Sequence, residues 1–208
     1  LDEWAIDASY SGTQKGCSTP PGLGPITLSE KAVKKVKGRK APVQSWFMDL
    51  NLVLGYWGGG AQRSYHHTAP INALYGLHES LLMLHEEGIE QAWERHTRNH
   101  RALVAGLEAL GLSFAVPRIE RLPQLNAVTI PAGLDDAKVR GRLLQEHDLE
   151  IGAGLGALAG KVWRIGLMGY SSRQENIELC IRALASVLTS EGLSVDTDAA
   201  IKAASSRL

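Results

Sequence analysis

Neither sign of charge is in excess in this sequence of 208 residues: 22 Lys and Arg balance 22 Asp and Glu, and the formal net charge is zero. Without a basic surplus there is no electrostatic means of holding a phosphate backbone, so nucleic acid is not an expected partner. Long hydrophobic runs are missing too. None approaches the roughly 18 apolar residues that a membrane-spanning helix needs, and no membrane partner is expected. Cysteine is scarce: Cys17 and Cys180 are the only two. They lie too far apart in sequence to read as a metal-ligand pair or a disulfide framework, which makes a reducing compartment the default. No internal repeat is visible. The chain opens on Leu1 with no charged-then-apolar leader and is expected to begin partway through a larger protein. What is there is ordinary: 44% hydrophobic and 21% charged residues, the composition of a globular domain.

Patterning along the chain suggests strands and helices in mixture. Trp4, Ile6 and Ala8 alternate with polar or small neighbours and read as a strand ending at a Ser11-Gly12 turn. A Gly/Pro-rich stretch follows, then a short extended run at 26–28. Ser29 is placed to cap a short basic helix carrying Lys31, Lys34 and Lys35, a solvated face. From Pro70 a helical stripe runs through Leu74, Leu77, Leu81, Leu82 and Leu84. Gly88 should break it before a second helix that turns Ile89, Trp93, Leu103 and Leu107 inward. Strands are predicted at 112–116, 127–130 and 161–167. A helix starting at Asp135 or Asp136 should carry Val139, Leu143 and Leu144. Ser172 and Glu175 read as a capping box for a helix with Ile177, Cys180, Ile181, Leu184 and Leu188 inward. Cys180 is thereby a core residue, and 193–208 reads as a weakly patterned, mobile tail.

Lys15 stands out chemically. It follows the predicted strand and the tight Ser11-Gly12-Thr13 turn, where a stiffly held, partly desolvated amine would gain nucleophilicity, as a covalent cofactor lysine requires. Taken alone, the same pattern also describes a solvated surface lysine. His66-His67 offer two metal-ligand types, but adjacent side chains should diverge and no third ligand is evident, so no metal is expected. Gly58-Gly59-Gly60 lacks the context of a nucleotide loop and reads as a flexible turn. Trp46, Trp57 and Trp163 read as core or interface residues.

Three segments carry a resemblance. Tyr10-Ser11-Gly12-Thr13-Gln14-Lys15 with Pro20-Pro21-Gly22, then 63–70 (Arg-Ser-Tyr-His-His-Thr-Ala-Pro), then Gly154-Leu155-Gly156 with 160–166 (Gly-Lys-Val-Trp-Arg-Ile-Gly) occur in order. Together they resemble the class V pyridoxal-phosphate aminotransferases, in the alanine–glyoxylate (serine–pyruvate) branch. The resemblance implies that Lys15 binds pyridoxal phosphate covalently and moves the substrate proton, and that Gln14 contacts the cofactor phosphate. It also implies that Tyr65 and Thr68 reach the phosphate of a neighbouring subunit's cofactor, so that the site needs a homodimer, and that Arg164 grips the substrate α-carboxylate. Two physical details agree: Tyr65 and Thr68 sit three apart just before a predicted helix start, and strand alternation puts Arg164 opposite Trp163 and Ile165.

The implied fold is α/β, the C-terminal part of a type-I pyridoxal-phosphate transferase. Residues 1–87 would be the latter part of the large cofactor domain and 88–192 a small α+β domain. Family members are nearly twice this length, so the acid that pairs with the pyridine nitrogen and the ring that stacks on the cofactor would lie upstream. The isolated chain is then expected to be poorly active. The implied reaction is amino transfer from alanine or serine to glyoxylate, giving glycine. Its rivals are a cysteine desulfurase of the same fold, disfavoured by Gln14 where that group has His, and a non-catalytic dimerisation or binding fragment. Ser206-Arg207-Leu208 fits the small–basic–Leu pattern of the peroxisomal address, which makes the peroxisome the expected compartment, or the cytoplasm for a bacterial source.

Overall fold

The computed structural model describes residues 1–57 and 64–208, which form two compact units. One comprises residues 1–14 and 19–80, the other residues 15–18 and 81–208. The division falls between residues 80 and 81, inside helix α3 (Ile71–Glu87), rather than at 87/88. The 15–18 turn, which the sequence assigned to the large domain, is grouped with the second unit. The predicted Gly58–Gly60 turn and Arg63 lie outside the described residues.

The first unit is a scaffold of short elements. Strands β1 (Ala8–Tyr10) and β2 (Ile26–Leu28) pair antiparallel, with Ser9 opposite Thr27. The expected strand start at Trp4 is instead a short 3-10 helix (Asp2–Trp4), closed by Ala5 in the left-handed region, and Trp4 is exposed. Helix α1 (Glu30–Lys37) starts as predicted: the Ser29 hydroxyl accepts from Ala32 N–H at 3.1 Å. Helix α2 (Leu50–Trp57) was not foreseen, because its residues are apolar nearly all round and show no amphipathic period. No apolar side chain of this unit is buried among the described residues; Thr13, Thr19 and His66 are.

The second unit holds the core. Gly88, at φ +87, separates α3 from α4 (Ile89–Ala109) as predicted, a backbone conformation that favours glycine. The sheet is antiparallel in the order β3 (Ser113–Phe114), β4 (Leu125–Thr129), β6 (Val162–Gly166), β5 (Gly152–Ala153). Helices α5 (Asp136–His147), α6 (Gln174–Ser190) and α7 (Thr197–Ser205) complete it. One cluster joins Leu103 and Leu107 of α4, Val128 of β4, Val139 and Leu143 of α5, and Trp163 and Ile165 of β6 to Ile177, Cys180, Ile181, Leu184 and Leu188 of α6. Every member of the α6 stripe is buried as the period demanded. Each such aliphatic side chain contributes roughly 1.5–3 kcal/mol on burial. Burial also pushes the Cys180 thiol up to about 12, which makes it inert as a nucleophile.

Four local expectations are corrected. Ile89 and Trp93 are exposed rather than inward, because the buried stripe of α4 runs through Ala92, His96, Asn99, Leu103 and Leu107. Leu144 is half exposed while Val139 and Leu143 are fully buried. Ser172 does not cap α6: the N-cap is Arg173, and Ser172 is buried, its hydroxyl accepting from Asn99 Nδ2 at 3.1 Å. The weakly patterned, mobile tail is instead α7, capped by Asp196, whose carboxylate accepts from Ala199 N–H at 2.9 Å, with Ala200 and Ala204 buried in the core. Two alanines four apart let α7 lie close to its neighbours, but so small an apolar face is faint in hydropathy.

Candidate active site

In the first unit, the chain leaves β1 at Ser11, whose N–H donates to Pro25 O at 2.9 Å, and turns at Thr13-Gln14. Gln14 is exposed and folds its amide back over Gly12, where an added Cβ would lie 2.7 Å from Gln14 Oε1. Thr13 is buried and its hydroxyl has no hydrogen-bond partner among the described residues. The Tyr65 and Thr68 hydroxyls meet in a short hydrogen bond on the surface, and α3 begins three residues after Thr68.

The intervening histidines form part of the support. His66 is buried, stacked on Trp46 with ring centroids 4.0 Å apart, and its Nε2 lies 3.2 Å from Trp46 O. With Nε2–H donating to that carbonyl, Nδ1 is left to accept from His67 Nδ1–H at 2.8 Å. The two side chains therefore do not diverge, as the sequence reading supposed. They turn toward each other because the Trp46 stack fixes one ring, and they brace the segment between Tyr65 and Thr68. Trp46 is itself half exposed and Trp57 largely exposed, whereas Trp163 is fully buried.

In the second unit, Lys15 stands on a turn closed by Ser18 N–H donating to Lys15 O at 3.0 Å. Lys15 is exposed, and its amine makes no hydrogen bond or ion pair with the described residues. Arg164 lies at the centre of β6, opposite Ala127 on one side and Gly152 on the other. Its Nε–H donates to Ala153 O at 2.6 Å, which fixes the side chain along β5. The guanidinium lies over Gly152, where an added Cβ would come within 3.2 Å of Nη2. Neither Nη has a partner among the described residues, so the fork that binds a carboxylate in two parallel bonds is left available. Trp163 and Ile165 are buried as expected, but so is Val162 on the face of Arg164.

Sequence reasoning passed over the polar residues of the α4 stripe. His96 and Asn99 are buried at helical spacing among apolar residues, and Arg95 beside them is half-buried. Polar side chains at inward positions of a helical period were the available signal.

Residues 1–179 match the profile of the family Aminotransferase class-V. The chain is 36% identical to the (S)-ureidoglycine–glyoxylate transaminase of Bacillus subtilis over 98% of its length and 53% of the relative's. It is 40% identical to the alanine–glyoxylate aminotransferase of Rattus norvegicus, covering 90% of the chain and 46% of the relative. Among solved structures it resembles the alanine–glyoxylate aminotransferase of Nostoc sp. with a TM-score of 0.86 and 48% identity, over 90% of the chain and 49% of that structure. The chain thus spans about half the length of the relatives it matches, with the fold of part of a type-I pyridoxal-phosphate transferase. It belongs to the class V aminotransferases, a family whose cofactor is pyridoxal phosphate.

Proposed function

We propose that the protein transfers an amino group from alanine or serine to glyoxylate, forming glycine and pyruvate or hydroxypyruvate, with Lys15 as the residue that binds pyridoxal phosphate covalently. The observation that carries this reading is the amine of Lys15, exposed rather than partly desolvated and without a partner among the described residues, on a backbone-braced turn within a chain of this family. The residues present fit the cofactor. A primary amine with no partner among the described residues suits its aldehyde, the paired hydroxyls of Tyr65 and Thr68 suit a phosphate, and the buried Thr13 hydroxyl likewise has no partner among them.

Bound there, pyridoxal phosphate supplies the electron sink that makes an amino acid's α-proton labile. The protein supplies the rest. Gln14 would hold the phosphate of this subunit's cofactor through its amide, and Tyr65 and Thr68 would hold that of the neighbouring subunit through their hydroxyls. Arg164 presents its free fork to the substrate carboxylate and so orients the bond to be broken. The Lys15 amine would take the proton from the substrate Cα and pass it on, moving it off that carbon as amino transfer requires. The exposed Trp46, Phe47, Met48 and Trp57 of the first unit support a homodimer in which such surface is covered, Tyr65 and Thr68 serving the partner's cofactor. A second reading takes (S)-ureidoglycine as the amino donor, favoured by the match to the Bacillus transaminase over 98% of the chain. Glyoxylate is the acceptor in both readings.

The test is to incubate the complete gene product with pyridoxal phosphate, reduce with borohydride and map the modified peptide. Modification at Lys15 is expected; modification elsewhere, or none, refutes the assignment. Glycine formation from glyoxylate with alanine, serine and ureidoglycine offered in turn then ranks the donors.

Arg164→Lys is expected to raise the KM for amino and keto acid about tenfold or more while borohydride labelling stays near wild type, because ammonium cannot reproduce two parallel bonds. Equal loss of labelling would assign Arg164 to folding instead.

Ser206-Arg207-Leu208 supports a peroxisomal address in a eukaryotic host and cytoplasm in a bacterial one. Leu208 is partly buried against the core, so recognition would require the last residues to peel away. A fluorescent reporter carrying the last dozen residues should form puncta that disappear on deleting Leu208; diffuse fluorescence from both reporters refutes the address.

A further inference from the structure

The amine of Lys15 makes no bond with the described residues, so its location depends on where the backbone of its turn is held. That turn abuts the loop between β6 and α6. A Cβ built at Gly169 would lie 1.9 Å from Ser18 Oγ, 2.8 Å from Gly16 O and 3.3 Å from Lys15 O. Gly169 also has φ +59, so both its conformation and this close approach require the missing side chain. From the neighbouring residue, Tyr170 N–H donates to Ser18 Oγ at 2.7 Å. The loop therefore grips the turn by direct contact and by one hydrogen bond.

The loop in turn is held by α4. His96 Nδ1–H donates to Ala92 O at 2.6 Å, which leaves Nε2 to accept from Gly169 N–H at 2.8 Å. Arg95 Nη1–H donates to Gly169 O and to Ser172 O, each at 2.9 Å, so both peptide groups of Gly169 are fixed by consecutive residues of one helix. Asn99, one turn further on, donates from Nδ2 to Ser172 O at 2.8 Å. Glu87 clamps Arg95 from behind with both carboxylate oxygens, and Arg95 holds the Glu87 carboxyl below its ordinary value. Apolar packing does little of this work, since Tyr170 is half exposed while Gly169 and Ser172 offer no large apolar side chain. Polar groups spend inward positions of α4 on the backbone of this one loop.

We propose that Arg95, His96 and Asn99 are positioning residues for Lys15, acting through the Gly169–Ser172 loop and the Ser18 hydroxyl; this rests on the reading of Lys15 as the covalent cofactor site. A reacting group displaced by about 1 Å loses on the order of a hundredfold in rate, so the effect should appear in how fast Lys15 reacts.

The experiment measures the rate of borohydride-trapped labelling of Lys15 by pyridoxal phosphate in the complete gene product, beside its thermal stability. His96→Ala should slow labelling about tenfold or more, while His96→Gln, whose amide oxygen can stand where Nε2 stands, should remain within about twofold of wild type. Ser18→Ala removes the last link from an exposed position and should slow labelling in the same sense. Val187→Ala, a fully buried core change in α6, is the stability control and should leave the labelling rate of the folded protein unchanged. Wild-type labelling rates in both His96→Ala and Ser18→Ala, or an equal loss in Val187→Ala, would overturn the proposal while leaving Lys15 assigned. Absence of labelling at Lys15 in the wild type overturns the reading beneath it as well.

Discussion

Lys15→Ala should lower transamination by at least about three orders of magnitude, since it removes a covalent attachment and a proton carrier together. Its effect on folding should be small. Lys15 is exposed, its amine holds no partner among the described residues, and its main-chain carbonyl still accepts from Ser18 N–H in the variant. Exposed substitutions away from caps and strained backbone usually stay within about 0.5 kcal/mol. The check is steady-state turnover of the complete gene product beside a melting curve. Near-wild-type turnover would remove the covalent role. Lost turnover with a collapsed melting curve would instead make the turn structural. Added methylamine offers a further separation: a small amine that restores part of the proton transfer should recover some rate only if the missing group was a base.

Trp163→Ala should cost about 3–5 kcal/mol of stability, read as a fall in the urea midpoint at unchanged slope. Trp163 is fully buried on β6 within the single core cluster of the second unit, so truncation leaves a cavity that α6 and the sheet cannot both close. A contrast makes the cause specific. The indole N–H of Trp163 is buried without a partner among the described residues, and Trp163→Phe discards that donor while keeping most of the ring. The Phe variant should therefore lose far less than the Ala variant. Equal losses would mean that ring volume alone does not set the cost. Arg164 follows Trp163 on the strand, so the Ala variant should also disturb carboxylate binding in the protein that remains folded.

The comparison of sequence with structure separates two kinds of information. Helices with a strong apolar period were legible: the break at Gly88, the start of α5 at 135 or 136 and the whole inward stripe of α6 follow from spacing and local chemistry. Elements with weak or ambiguous pattern were not legible. Helix α2 is too uniformly apolar to show a period, and α7 buries only alanines. The Ser172-x-x-Glu175 spacing matched a capping box, but Asn99 offered the serine a buried partner from another helix. A local motif lost to a tertiary bond.

By itself, the sequence determined the family, through three ordered segments, and with it the residue types available for chemistry: an amine at 15, hydroxyls at 65 and 68, and a guanidinium at 164. It also determined the α6 stripe of the second unit's core, because burial there follows from hydropathy repeated at a helical period. The tertiary structure alone decided which polar groups meet. Nothing in the spacing of Arg95, His96 and Asn99 announces that they hold a loop more than seventy residues away, or that this loop braces the turn of Lys15. Hydrogen bonds between distant segments depend on how packed elements bring their backbones together, and that information is absent from any window of sequence short enough to read.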